Sequence, residues 1–200
     1  MKYFIDKNNN IYTGSSSGRI YKCLANETDF HEITKVPKPI SSIVIDKNNN
    51  IFLLSINVNY VRGEDIEVYK CLAGGDTCNK IKIINNVLFG KLLLDSNNNN
   101  IYMGITKTND KCEVYKCLAG EGICNKIKTI NNAPISDFTL DKNNNIYIID
   151  TSSSVYKMLS NDKSIHIINN QLFISNNTII IDQKNKVYIS NSDYGVYESD

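Results

Sequence analysis

One short phrase recurs five times along this 200-residue chain. It is written DKNNNIY from Asp6, DKNNNIF from Asp46, DSNNNNIY from Asp95, DKNNNIY from Asp141 and, more weakly, DQKNKVY from Asp182. Successive copies begin 40 to 49 residues apart. A period of this length is typical of repeat architectures, in which each unit needs its neighbours to bury its apolar side chains. The repeat therefore constrains the fold more than any other feature.

Two further phrases follow in the same order within each unit. The third-strand phrases RIYKC, EVYKC, EVYKC, SVYKM and GVYES end at Cys23, Cys71, Cys117, Met158 and Ser199. The closing phrases are NKIKIINN (79–86), NKIKTINN (125–132) and SIHIINN (164–170), with EITKV (32–36) as a divergent first member. Residues 1–200 therefore form a single domain of five units, at about 1–40, 41–90, 91–135, 136–177 and 178–200.

Each unit contains four short segments with the composition of β-strands. They are rich in Ile, Val, Tyr and Phe and are bounded by Asn, Gly, Ser and Asp. No segment has the apolar spacing and caps of a substantial helix. Four antiparallel strands in each unit of 40 to 50 residues describe a propeller blade. The sequence therefore predicts an all-β fold, a five-bladed β-propeller of four-stranded antiparallel blades.

The last unit is shorter than the others. The chain ends just after the third strand of unit five, so the last blade lacks its own outer strand. Three arrangements fit: a ring that closes on a three-stranded blade, a longer array, or a strand supplied by a partner. The first is favoured because an outer edge strand contributes least to the core. We therefore expect a closed, monomeric ring, with a strand-completing oligomer as the alternative.

The phrases VIDKNNNIF (44–52) and GRIYKC (18–23) resemble the blade consensus of NHL-type and gluconolactonase-like propellers. The resemblance extends over the whole chain and implies a propeller fold without specifying an activity. Asn9, Asn49 and Asn144 stand where those families have a turn glycine, and Asn is the residue besides Gly best suited to a left-handed conformation. The metal-ligand pattern of the lactonases has no counterpart here, and we expect no cofactor.

The repeated Asp-x-Asn-x-Asn spacing mimics the start of an EF-hand calcium loop. Such a loop also needs Gly at its sixth position and Glu at its twelfth. In unit one these positions are Ile11 and Ser17. We therefore expect no metal and predict a hairpin turn in which the side chain of Asp6 accepts hydrogen bonds from backbone N–H groups.

Four of the six cysteines flank turns between third and fourth strands. Cys71 with Cys78, and Cys117 with Cys124, are predicted to face each other across a hairpin, with Cα separations below about 7 Å. A disulfide closing so short a loop would contribute about 2.5 kcal/mol. Other units carry Phe or Ile at the second position, so reduced thiols packed as small apolar groups are the default. Neither pair has the spacing of a zinc site.

Composition narrows the class of partner and the compartment. A net charge of +1 provides no basic surface for nucleic acid. The chain contains no run of 18 apolar residues, so its sequence predicts no membrane-spanning helix. The first ten residues do not form a signal peptide, so the cytoplasm is the default location, and export by a route that needs no signal peptide is the alternative. The abundance of Asn and Lys over Arg indicates an AT-rich genome rather than a function.

Catalysis has little support in the sequence. The two histidines, His31 and His166, both fall in predicted fourth strands at the periphery, and no Ser-His-Asp set or phosphate loop is present. The recurrent tyrosines fit packing between blades. We therefore expect a non-enzymatic binding or scaffold module for a protein or, in a lectin-like version, a carbohydrate. The alternative is a lactonase-like or other hydrolytic propeller enzyme, which needs Glu, Asp, Asn or His converging on the axis.

The direction of the chain separates two rims of such a ring. The first rim carries the repetitive DKNNN and CLAGG turns. The second rim carries the second-to-third strand turns and the links between units, where the sequence varies most. Variable loops on a rigid scaffold usually carry binding, so we expect the partner on the second rim. Its candidate ligand-binding residues are Tyr60, Arg62, Asn85, Asn86, Asn131, Asn132, Asn169 and Asn170.

Overall fold

The computed structural model describes residues 3–56, 63–95, 97–118, 122–160, 164–169, 178–191 and 195–199. Within these ranges every regular element is a β-strand, and all strand pairs are antiparallel. None of these residues belongs to a helix that could cross a membrane. The all-β, antiparallel fold class predicted from the repeat is confirmed.

The strands form four sheets, each with neighbouring strands in chain order. The first sheet contains β1 (Tyr3–Ile5), β2 (Ile11–Gly14), β3 (Arg19–Cys23) and β4 (His31–Lys35). The second contains β5 (Ile40–Ile45), β6 (Ile51–Ser55), β7 (Glu64–Cys71), β8 (Cys78–Leu94), β9 (Ile101–Lys107), β10 (Cys112–Cys117) and β11 (Cys124–Ile130). The third contains β12 (Ile135–Leu140), β13 (Ile146–Asp150), β14 (Val155–Met158) and β15 (Ile165–Asn169). The fourth contains β16 (Thr178–Ile181), β17 (Val187–Asn191) and β18 (Gly195–Ser199).

Strand β8 joins two repeat units into one seven-stranded sheet. Its first half pairs with β7 and its second half with β9, so the unit boundary predicted after residue 90 lies inside a continuous strand. The other described links contain proline, at Pro37 and Pro39 or at Pro134. Proline lacks the N–H that a ladder needs. The link from residue 85 to 88 has no proline, which explains why this strand continues across it.

The repeat units pack face to face in a constant orientation. We define the A face of a unit as the side that carries the first and third residues before the repeated Asp, such as Ile43 and Ile45. The B face carries the residue between them and the aromatic residue of the second strand, such as Val44 and Phe52. Four apolar clusters among the described residues each join the B face of one unit to the A face of the next.

The described residues leave the two ends of this series uncovered. Tyr3 and Ile5, on the A face of unit one, are exposed, as is Ile180 on the B face of unit five. No apolar cluster of the described residues joins these two faces. Packing of the last sheet on the first, which a closed ring requires, is therefore not seen in the part of the chain that the structure describes.

The repeated Asp phrase forms the predicted hairpin turn. Asp46 Oδ1 accepts hydrogen bonds from the backbone N–H groups of Asn48 and Asn50, both at 2.8 Å, and its Oδ2 accepts one from the Asn50 side chain at 2.9 Å. The same bonds form at Asp6 and Asp141. The left-handed conformation predicted for the turn asparagines is confirmed, with φ of 61°, 63° and 62° at Asn9, Asn49 and Asn144.

The paired cysteines lie directly opposite each other on neighbouring strands. Cys71 and Cys78 are joined by a disulfide with a Cα separation of 4.0 Å, and so are Cys117 and Cys124. The predicted hairpin register is therefore correct. The structure differs from the default of reduced thiols at these pairs, because the direct cross-strand position brings both sulfur atoms together. Cys23 and Cys112 are free and buried.

Candidate functional site

The structure describes only some of the residues predicted to bind a ligand on the second rim. Tyr60, Arg62 and Asn170 lie outside the described residues. Asn169 is the last residue of β15. The remaining asparagines of the set, Asn85, Asn86, Asn131 and Asn132, are exposed on the links between units. The second-rim links therefore present side-chain amides to solvent.

Two of these asparagines have a structural explanation. Asn86 and Asn132 adopt positive φ values of 56° and 54°. Asn tolerates this conformation better than other residues with a side chain. The second asparagine of these two INN links thus serves a left-handed position of the backbone, whereas Asn85 and Asn131 do not have positive φ values.

The second rim is held together by backbone hydrogen bonds between links and turns. Thr108 N donates to the carbonyl oxygen of Asn86 at 3.0 Å, and Ala133 N donates to that of Asp110 at 2.9 Å. Thr151 N donates to Pro134 O at 2.9 Å. Each of these two links is thereby tied to a neighbouring turn, which fixes its position at the base of the second rim.

A buried carboxylate strengthens the rim in units two and three. The Glu113 side chain accepts hydrogen bonds from the Tyr115 hydroxyl at 2.7 Å and from Lys126 Nζ at 2.8 Å. Glu67 accepts the equivalent bonds from Tyr69 and Lys80. Burial alone would raise the pKa of each glutamate, but the hydrogen bonds and lysine charges outweigh it and the pKa is lowered. Burial, together with Glu67, raises the pKa of Tyr69 to about 12.

This arrangement predicts acid sensitivity. A lowered pKa in the folded state means that Glu67 and Glu113 stabilise the fold above their ordinary pKa of 4.5 and lose this contribution as pH falls below it. We expect the melting temperature to fall between pH 5 and 3, and the double variant Glu67→Gln/Glu113→Gln to fall less steeply. Thermal unfolding followed by circular dichroism measures both. Glu64→Gln, on the same strand as Glu67, is the matched control, and equal slopes in all three proteins would contradict the prediction.

The first strands of all five units contribute to the lining of one open cavity of about 760 Å³. Its lining extends along β1, β5 and the second half of β8, and it includes Phe89, Ser136 and Thr178, which lie near the points where the second-rim links enter the first strands of their units. Most lining side chains are apolar, including Phe4, Val44, Phe89 and Leu93. A cavity of this size with few polar groups is typical of a site for a partly apolar ligand.

An ion pair provides the charge in this lining. Lys91 Nζ lies 2.5 Å from Asp137 Oδ1. The other oxygen, Oδ2, accepts a hydrogen bond from Ile179 N at 3.0 Å, which links units three, four and five at the cavity. Lys91 is less buried than Asp137, so its ammonium group can meet an incoming ligand while the carboxylate fixes its position.

A second, more polar groove of about 390 Å³ lies on the first rim between units one and two. Asn8, Lys22, Thr34 and Asp76 contribute to its lining. Lys22 Nζ lies 5.5 Å from the centre of the Tyr12 ring, within cation–π range. The same lysine–aromatic contact recurs in units two, three and four at 5.2 to 5.6 Å.

The sequence alone predicted neither the Lys91–Asp137 ion pair nor the recurrent contact between a lysine and an aromatic ring. Lys91 and Asp137 do not belong to a repeated phrase, and their proximity depends on the packing of unit three against unit four. The recurrent lysine was visible in RIYKC and EVYKC. Its position directly opposite the second-strand aromatic, as in Tyr12 with Lys22, was the signal that could have revealed the contact.

The fold places this chain among propeller-type proteins, in agreement with the resemblance found in its blade phrases. It is similar to streptogramin B lyase, with a TM-score of 0.71 and 14% identity over 100% of this chain and 67% of that chain. It is also similar to the extracellular domain of the BT4673 one-component system from B. thetaiotaomicron, with a TM-score of 0.70 and 17% identity over 98% of this chain. YCF48 from Cyanidioschyzon merolae matches with a TM-score of 0.68 and 12% identity over 100% of this chain and 66% of that chain.

These likenesses establish the fold alone. The chain spans 26% of the length of the BT4673 chain. No family model matches it, and no curated protein does.

Proposed function

We propose that this protein is a non-enzymatic binding module that takes its partner at the second-rim opening of the central cavity. The observation that carries the proposal is the cavity of about 760 Å³ to which all five repeat units contribute. Its apolar lining favours insertion of an apolar group, and the Lys91–Asp137 pair favours an anionic or hydroxyl-bearing group beside it. A peptide segment of a partner protein combines both.

The same proposal includes the arrangement of the repeat units around the cavity. Each of the five units is a blade, and the blades follow one another around the cavity with A face on B face. Among the residues that the structure describes, unit five contributes three strands and the other units four, with β8 shared between units two and three. The exposed links and turns of the second rim, including Asn85 and Asn131, form the border of the opening.

Two substitutions at the cavity test this function. We expect Lys91→Ala and Phe89→Ala each to weaken binding by at least about 1 kcal/mol, because centrally placed charged and aromatic side chains dominate such interfaces. Peptides selected from a displayed library against the wild-type protein provide the ligand, and titration calorimetry measures the affinity.

Two variants serve as controls for that experiment. Lys91→Arg keeps the positive charge beside Asp137, and we expect it to retain binding. Lys47→Ala, on the first rim, removes a lysine far from the opening. If Lys47→Ala weakens binding while the cavity variants do not, the partner binds the first rim and the proposed site is wrong.

A lectin-like function is the second candidate, and the polar groove on the first rim is the observation that favours it. Asn8 and Lys22 offer hydrogen-bond donors beside the Tyr12 ring, and such a combination suits a hydroxyl-rich ligand. A glycan array probes it directly. Binding that depends on Lys22 and not on Lys91 would favour this candidate over the cavity.

The enzymatic alternative has less support from the described part of the lining. Asp137 is the carboxylate that the cavity lining contributes there, and it is already bound by Lys91 and by backbone N–H groups. A hydrolytic site needs several converging acid, base or metal-binding groups. A lactone hydrolysis assay in the presence of divalent metal, with Asp137→Asn as the variant, tests this alternative.

A further inference from the structure

The uncovered A face of unit one has the composition of a buried interface. Tyr3 is 70% exposed and Ile5 is 50% exposed, whereas Ile43 and Ile45, at the same positions of unit two, are 5% and 2% exposed. Together with Ile11, Tyr21 and Phe30 they border an open pocket of about 520 Å³. Monomeric proteins rarely expose contiguous apolar surface of this kind.

The structure itself identifies the surface that fits this face. In each of the four apolar clusters the A face of one unit is covered by the B face of the preceding unit. The B face of unit five is the one that no cluster of the described residues covers. Ile180 is 57% exposed there, whereas Val44, its equivalent in unit two, is 5% exposed. The two uncovered faces are therefore of the two types that pack together elsewhere in the molecule.

We propose that the A face of unit one binds the B face of unit five of a second copy of this chain. The contact repeats, between molecules, an interface that the chain already forms four times within itself. It is heterologous, since the two surfaces are different patches, and it can therefore continue from copy to copy. Tyr3 also borders the central cavity, but the contact uses none of the side chains proposed above to bind a ligand.

Single lysine substitutions at the two faces give a complementary test. Ile5→Lys places a charge on the A face and Ile180→Lys places one on the B face, so each should prevent the apolar contact at its own face. Because both isoleucine side chains are exposed, the fold of each variant should persist. We expect the wild type to associate with increasing concentration in sedimentation velocity and each variant alone to remain a monomer. An equimolar mixture of the two variants should form a 1:1 dimer, because the intact A face of one fits the intact B face of the other.

Controls distinguish this contact from other associations. Ile83→Lys introduces the same charge at an exposed isoleucine of an outer strand and should associate as the wild type does. The double variant Ile5→Lys/Ile180→Lys should remain monomeric in every mixture. A wild type that is monomeric at all concentrations overturns the proposal, because the faces then close within one chain or stay exposed. Association of Ile180→Lys alone also overturns it, since this indicates contact between two A faces.

Discussion

Replacement of Phe138 by alanine should destabilise the protein by about 3–5 kcal/mol, the largest effect that we expect from a single substitution. Phe138 is fully buried on the A face of unit four, in the cluster that joins units three and four. Its ring lies where a Cβ atom on Gly104 would be only 3.0 Å away, so the glycine makes room for the ring. The cavity left by alanine cannot be filled by so small a neighbour.

Chemical denaturation measured by far-UV circular dichroism gives this free energy. Ile83→Ala is the control, because Ile83 is exposed on an outer strand and lies outside both uncovered faces. A loss below about 1 kcal/mol for Phe138→Ala would contradict the packing of unit three on unit four.

Replacement of Asp46 by alanine should cost about 3 kcal/mol. The carboxylate is buried and accepts three hydrogen bonds within its turn, and bonds to a charged group contribute about 1.5–3 kcal/mol each before the turn relaxes. Asp46→Asn keeps an oxygen for the backbone N–H groups and should lose less. The same denaturation experiment measures both variants.

Unit five supplies the matched control for this turn. Asp182 accepts the two backbone bonds, from Lys184 and Lys186, and a long one of 3.4 Å from the Tyr188 hydroxyl, but Lys186 replaces the asparagine whose amide donates the shorter side-chain bond at Asp46. Asp182→Ala should therefore have the smaller effect. Equal losses at Asp46 and Asp182 would show that the asparagine amide adds no more to the turn than the long bond from Tyr188 does.

The repeated phrases allowed the strands, the turns and the cysteine pairs to be predicted, because each depends on residues near in sequence. Asp46 and Asn49 specify a hairpin turn by local geometry. Tyr12 and Tyr102 recur at one strand position and are buried between units, as inter-blade packing requires. The continuity of β8 was not predicted, because the INN phrase suggested a link; the lack of proline between residues 85 and 88 was the feature that could have indicated it.

The candidate site could not be predicted from the sequence in the same way. Lys91 and Asp137 are 46 residues apart, and their contact depends on how two sheets pack. The uncovered faces of units one and five were likewise invisible, because Tyr3 and Ile5 have the same apolar character as the buried residues of the other units. Only the positions of neighbouring sheets distinguish a covered face from an exposed one.

The continuous strand β8 affects how the protein loses structure. Units joined by links that lie outside the strands can open one at a time, but unit two cannot release its outer strand without disturbing the inner strand of unit three. These two units should therefore unfold together as one cooperative block. Backbone amides of β7 and β9 would then exchange with deuterated solvent at a common slow rate. The first and last sheets, each with one face in water, would exchange earlier, so the molecule would unfold from its ends toward β8.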